Sequence, residues 1–156
     1  PENGDKGRLY GLELNWQQTL AALPGFGVML NYTLTDSQAD LPFGIGQTDL
    51  PGTSKHSYNA ALNYEADGYS AQLAYNYRSE YIDALDTADP KLNTYWDERA
   101  TLDFSAGYKF SPQFSVFVEA TNLTDSQAIR YQGVRSRVFE HEQFGRAWQL
   151  GVRGSF

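Results

Sequence analysis

The chain contains no cysteine. That absence excludes a disulfide-stapled secreted module and any thiolate metal site. There is no run of lysine or arginine, and the formal charge is −7. The basic footprint that phosphate binding demands is therefore missing, which argues against nucleic acid as a partner. No stretch approaches the ~18 apolar residues of a membrane helix, so a helical membrane protein is excluded while a membrane-spanning β-structure is not. Nothing at the start resembles a secretory signal, because the chain opens Pro1-Glu2-Asn3-Gly4-Asp5 and is polar from its first residue. A length of 156 residues on its own suggests one domain.

What the sequence does have is aromatic residues, at 15% of the chain. A fraction that high points to a dense core or to an interface with lipid headgroups. Their spacing is strictly alternating. Tyr10, Leu12, Leu14 and Trp16 share one face, with Leu9, Gly11, Glu13, Asn15 and Gln17 on the other. The same period of two puts Phe26 to Leu34, Tyr58 to Tyr64, Tyr69 to Tyr77, Ala100 to Tyr108, Phe114 to Ala120 and Trp148 to Phe156 on apolar faces. Each segment predicts a β-strand. About thirty positions lie on these faces and none is charged, an outcome expected by chance about once in a thousand at the chain's charged fraction; lipid-facing charge is costly.

The connections alternate in length. Short turns fall at 21–25, 66–68 and 111–113, each with turn-forming residues. Long connections run over 36–54, 81–97 and 124–145. Short on one side and long on the other is the pattern of an outer-membrane barrel, with periplasmic turns and extracellular loops. It predicts a final strand that runs inward and a C-terminus on the periplasmic side. Aromatic residues also gather at strand ends: Trp16, Phe26, Tyr64, Tyr69, Tyr108, Phe110, Phe114 and Phe156 near the short turns, and Tyr10, Tyr32, Tyr58 and Tyr77 toward the long loops. The fold class expected is thus all-β, an antiparallel up-and-down transmembrane barrel. About seven strands are legible, whereas bacterial single-chain barrels have an even number. A lone seven-stranded sheet would leave two unpaired edges, so residues 1–156 are expected to be the C-terminal part of a larger barrel. The competing reading is a soluble lipocalin-like ligand-binding barrel with its apolar face inward. Bulky rings at both rims of that face, opposite Gly, Ser, Asn, Glu and Arg, favour lipid outside and a wet or protein-filled lumen.

Asn122-Leu123-Thr124-Asp125, Arg130-Tyr131-Gln132-Gly133, the stretch 142–146 and Gln149-Leu150-Gly151-Val152-Arg153-Gly154-Ser155-Phe156 resemble the C-terminal end of TonB-dependent outer-membrane receptors. Leu50-Pro51-Gly52-Thr53-Ser54-Lys55-His56, before a strand ending Asn63-Tyr64-Glu65, resembles the same family's penultimate region. The resemblance implies a barrel of about 22 strands closed by a plug, sited in the Gram-negative outer membrane. It implies import of a scarce nutrient, a carbohydrate or a metal chelate, with energy relayed by the TonB complex and no cofactor. Plug and TonB box would lie upstream, outside this chain. Partners expected are outer-membrane lipid, the remainder of the barrel and plug, the TonB complex through the plug, and the barrel-assembly machinery. The assembly machinery would read a terminal signal of Gln149, Gly151, Gly154 and Phe156, with Gly154 standing where a bulky apolar residue is usual. The alternative within the membrane is a small standalone barrel or an assembly-substrate fragment with a structural role.

Such a transporter makes and breaks no covalent bond, so no catalytic residue is expected. The lumen and plug-facing candidates are Glu13, Arg78, Glu80, Asp103, Lys109, Glu119 and Arg153. Ligand-binding candidates in the loops are Tyr81, Tyr95, Trp96, Tyr131, Gln132 and Arg135, because aromatic platforms beside amide or guanidinium groups suit stacking on sugars or aromatic chelators. His56 and His141 lack ligand spacing, so no metal site is expected. Gly44-Ile45-Gly46 lacks the strand–helix setting of a phosphate loop.

Overall fold

The computed structural model describes residues 6–40, 46–86 and 88–155. Pro1–Asp5, Gly44, Ile45 and Phe156, on which parts of the sequence reading rest, lie outside the described residues. The described residues form twelve strands: β1 (Gly7–Thr19), β2 (Phe26–Asp40), β3 (Gln47–Thr48), β4 (His56–Ala66), β5 (Tyr69–Arg78), β6 (Tyr81–Ala84), β7 (Thr94–Trp96), β8 (Arg99–Lys109), β9 (Phe114–Thr121), β10 (Ala128–Gln132), β11 (Val138–Glu142) and β12 (Ala147–Gly154). The main sheet runs β1-β2-β4-β5-β8-β9-β12, all antiparallel, with β3 added to the end of β2. Those seven path strands are the seven that the alternation predicts.

The pairing register carries that alternation from strand to strand without a slip. One row across the apolar face reads Val28, Leu62, Leu73, Phe104, Ala120 and Trp148. The next reads Trp16, Leu30, Ala60, Tyr75 and Leu102. A shift of one residue in any pair would turn that strand's apolar set to the opposite side. The result is one continuous apolar face, and it is not enclosed: Leu150 is 82% exposed and Trp148 66%, while no large side chain is fully buried among the described residues. The inward-facing interior of a lipocalin-like barrel is thus not what these strands build. The sheet does not close on itself, and β1 and β12 each have one edge with no neighbour among the described strands.

Rings meet across strands at both ends of the apolar face. Near the short turns, Phe26 and Tyr64 lie 4.8 Å apart and Tyr69 and Tyr108 4.2 Å apart. Near the long loops, Tyr58 and Tyr77 lie 4.7 Å apart, and the Tyr32 hydroxyl is 2.9 Å from His56 Nδ1. The turn between β4 and β5 is the two-residue Asp67-Gly68, both with positive φ (52° and 80°), the mirror-image turn whose twist matches a hairpin. Ser111 closes the turn between β8 and β9, its Oγ accepting from the Gln113 and Phe114 N–H groups at 3.3 and 3.1 Å.

Two expectations about the long connections need correction. Strand β2 runs on to Asp40 rather than ending near Asp36, because β1 stays paired with it up to Gly7↔Ala39. The stretches 81–97 and 124–145 are not plain loops: they supply β6, β7, β10 and β11, which form a second sheet in the order β11-β10-β7-β6. That order repeats β12-β9-β8-β5 of the main sheet, so the second sheet continues the last four main strands beyond short breaks at 79–80, 97–98, 122–127 and 143–146. These strands are only three to five residues long and mix apolar and charged residues on their faces, too short a run for a period of two to show in the sequence. Three of the five buried apolar residues, Ile82, Ala128 and Tyr131, lie in this second sheet.

Candidate functional site

The opposite face of the main sheet is a stack of polar rows fixed by the same register. Nearest the long loops, Glu13, Thr33, Ser57, Arg78 and Arg99 face one another in turn. Below them comes a ladder of asparagines, Asn15, Asn31, Asn59 and Asn76, ending in Thr101. Asn59 Nδ2 donates to Asn76 Oδ1 at 2.6 Å, and Asn76 Nδ2 donates to Asp103 Oδ2 at 3.0 Å. Further down, Asn63, Gln72, Ser105, Glu119 and Gln149 make a third row, in which Gln72 Nε2 donates to Asn63 Oδ1 at 2.7 Å. At the short-turn end Lys109 and Arg153 flank Ser115. The upper rows line a recess of about 390 Å³ that includes Asn31, Asn59, Asn76, Arg78, Arg99 and Thr101. Among the described residues, none of Glu13, Arg78, Arg99, Asp103, Lys109, Glu119 and Arg153 joins an ion pair.

Phe117 stands on this face between Gly107 and Gly151. Its ring covers Gly151 so closely that a Cβ there would lie 2.3 Å from Cζ, the arrangement in which an aromatic side chain shields a strand glycine. The Arg153 guanidinium lies 5.7 Å from the same ring.

The second sheet is organised around two arginines. Arg130 on β10 pairs with Asp83 on β6 and with Glu140 on β11, so one guanidinium ties together strands from both long connections. Asp83 also accepts from Thr94 Oγ1 at 3.2 Å and Trp96 Nε1 at 3.1 Å, and Arg130 lies over the Trp96 and Phe139 rings at 5.1 and 5.2 Å. The Glu140 and Asp83 carboxylates hold the Arg130 guanidinium above its ordinary pKa. Arg135 bridges Glu80 at 2.9 Å and Asp97 at 3.1 Å, at two of the four breaks between the sheets. Glu80 also accepts from the Tyr131 hydroxyl at 2.8 Å. Burial pushes the Glu80 carboxyl up, but the bonds from Tyr131 and Arg135 outweigh it and hold the group below the ordinary 4.5. Burial and the Glu80 carboxylate push the Tyr131 phenol up to about 12. Arg135 is raised by Glu80 and by Asp97.

Asn122 pins the break between β9 and β10. Its φ is 55°, its Nδ2 donates to Ser126 O at 3.1 Å and Gly145 O at 3.0 Å, and its N–H donates to Asp103 Oδ1 at 2.8 Å. Arg146 Nε donates to Leu123 O at 3.0 Å. Two of the stretches that carry the family resemblance, 122–125 and 142–146, therefore lock onto each other.

The sequence-predicted lumen residues Glu13, Arg78, Asp103, Lys109, Glu119 and Arg153 all lie on the polar face. Glu80 lies just past the end of β5, in the Arg135 cluster. Of the loop candidates, Tyr131 is buried at 5% exposure and stacks on Tyr95 at 5.2 Å. Trp96 is engaged by Arg130 and Asp83, Gln132 Nε2 donates to Leu92 O at 3.1 Å, and the Tyr81 ring carries the Arg78 guanidinium at 4.7 Å. Tyr81 and Tyr95 also line a polar recess of about 490 Å³ between the β2–β3 hairpin and the second sheet, with Gln38, Gln47, Lys55 and Glu80. Gln149 and Gly151 sit in β12 against β9, Gly154 pairs with Phe114, and Phe156 lies outside the described residues. Sequence reasoning missed Arg99, which extending the run by one residue beyond Ala100 would have found. It also missed Asp83 and Glu140, for which no periodic signal exists. No group of three or more His, Cys, Asp or Glu among the described residues is placed to hold a metal ion.

The family model for the TonB dependent receptor-like β-barrel matches residues 1–123. No curated protein matches the sequence. Among solved structures, the chain is similar to the siderophore receptor PiuA from Acinetobacter baumannii, with a TM-score of 0.67 and 18% identity. That alignment covers 95% of this chain and 22% of the receptor, so the chain spans about a fifth of its solved relative. At that identity the likeness speaks for the fold. The family match, the seven strands in unbroken register and the exposed apolar face agree, and the chain belongs to the TonB-dependent receptor-like β-barrel family.

Proposed function

We propose that residues 1–156 form the C-terminal part of the membrane-embedded barrel of an outer-membrane receptor that imports a scarce nutrient by TonB-dependent transport. The observation that carries this is the single exposed apolar face, in register over seven strands and opposed to a mainly polar one. In hydrocarbon such a face is the stable one, and every backbone N–H and C=O must be paired within protein. The free edges of β1 and β12 therefore call for further strands, and the family supplies them in a barrel of about 22. The polar rows then line the lumen, opposite a plug, and the short turns lie on the periplasmic side. The C-terminal β12, with Gln149, Gly151 and Gly154 before Phe156, carries the signal for the barrel-assembly machinery. The nutrient, a carbohydrate or a metal chelate, meets the recess beside Tyr81 and Tyr95.

The test is uptake and location together. The full-length protein is expected in the outer-membrane fraction, with gel mobility that changes on boiling. Growth on the limiting nutrient is expected to vanish in cells lacking TonB or the receptor. Recovery of the protein in the soluble fraction, or growth that is indifferent to TonB, overturns the proposal.

A further inference from the structure

We infer that Arg78 and Arg99 form a carboxylate-binding site on the polar face at the long-loop end of the sheet. The inference rests on the reading that this face lines the lumen. The two residues are directly opposed in the β5–β8 register, and like charges so placed are destabilising unless something offsets them. Neither forms an ion pair among the described residues. Each instead lies over a ring, Arg78 at 4.7 Å from the Tyr81 centroid and Arg99 at 5.8 Å from that of Phe144. Arg78 Nη1 and Arg99 Nε are buried with no hydrogen-bond partner. Buried donors left unmade cost more than ordinary hydrogen bonds gain, and more so when charged.

The carboxylates nearby are committed elsewhere. Asp103 uses its two oxygens on Asn76 and on the Asn122 N–H. Glu80 takes Tyr131 and Arg135, and Glu98 takes the Tyr77 hydroxyl. The recess of about 390 Å³ in front of the two guanidiniums is lined by amides and hydroxyls, with no carboxylate among its lining residues. Each guanidinium keeps a buried N–H without a partner, and two such donors facing one recess suit the two oxygens of one carboxylate. The carboxylate comes either from an imported solute or from an acidic side chain of a protein segment lying in the lumen.

The experiment uses the full-length receptor purified from the outer membrane in detergent, with Arg99→Gln, Arg99→Lys and the double variant Arg78→Gln/Arg99→Gln. Citrate and inorganic phosphate are titrated by calorimetry, and hydrogen exchange is followed over the whole polypeptide. Citrate binding that falls at least tenfold in Arg99→Gln and is partly kept in Arg99→Lys supports the site with a solute carboxylate. No citrate binding to the wild type, together with faster exchange in the double variant confined to one acidic segment outside the barrel strands, supports it with a protein carboxylate. Phosphate binding as tightly as citrate overturns the inference, as do both readouts unchanged in the double variant. Those results, obtained on a receptor that is recovered from the outer membrane, leave the transport reading standing. A wild type found only in the soluble fraction takes both down.

Discussion

Replacing Leu73 with arginine tests the assignment of faces most directly. Leu73 lies on β5 midway between Tyr69 and Tyr77, four residues from each ring. At ~3.3 Å per residue and a tilt of ~40°, each ring is about 10 Å away along the membrane normal, which puts Leu73 at the middle of the ~25 Å apolar band. Its register partners are Leu62 and Phe104, so an arginine there finds no polar neighbour on either side. The expected cost in a bilayer is roughly 2–4 kcal/mol, an about 30- to 700-fold shift in the folding equilibrium. The neighbouring Gln72 points to the polar face and pairs with Asn63, so Gln72→Arg is expected to cost less than about 1 kcal/mol, the loss of one exposed hydrogen bond. Ala100→Arg, at the upper rim opposite Tyr77, is expected at ~0–1 kcal/mol. Denaturant titration of the receptor folded into phospholipid vesicles measures all three. Equal costs for Leu73→Arg and Gln72→Arg would refute the reasoning, since one residue of offset is the whole of the difference.

Gly151→Ala is expected to lose about 1–3 kcal/mol, because the new methyl group would sit 2.3 Å from Phe117 Cζ; in the same denaturant assay Phe117→Ala should recover most of that loss, and strictly additive costs would disprove the contact. Glu80 is held below its ordinary 4.5, so the stability it lends the second sheet is present above that value and lost as pH falls through its lower folded value. Amide exchange in 128–142 should accelerate there in the wild type but not in Glu80→Gln. Tyr131 has the opposite sign. Raised from 10 to about 12, its contribution is complete below pH 10 and lost as pH climbs through 12, and by difference absorption Tyr131→Phe should titrate one fewer phenol in that late range than the wild type. Arg130→Met leaves Asp83 and Glu140 without their shared cation and should loosen the second sheet by roughly 1–2 kcal/mol. Trp96 fluorescence is expected to shift to the red while the unfolding midpoint of the main sheet stays put.

The main sheet was legible because a membrane imposes one rule on every strand that crosses it. Leu62, Leu73 and Phe104 are apolar, and Asn63, Gln72 and Ser105 beside them are polar, so each strand declares its own faces and the register follows. The short turns were equally readable, since Asp67-Gly68 and Ser111-Pro112 carry their chemistry locally. Outside the apolar band that rule lapses. Asp83, Arg130 and Glu140 meet only because β6, β7, β10 and β11 share one sheet, and no local period marks any of them. The aromatic loop residues were recognised, but Tyr131 and Trp96 turned out to be engaged within the second sheet, because a ring beside a charge suits internal packing as well as it suits a ligand. Arg99 fell one position beyond the run that was counted.

The Arg130 tie gives the two long connections a shared fate. Surface loops of a barrel can ordinarily drift in sequence one at a time, each answering to its own tip. Here a charge reversal at position 83 demands an answer at 130, and one at 130 demands answers at 83 and 140. Natural variants of this chain should therefore exchange these stretches as a matched set, and a chimera that borrows only one of them from a relative should fold its wall correctly and leave its crown undone.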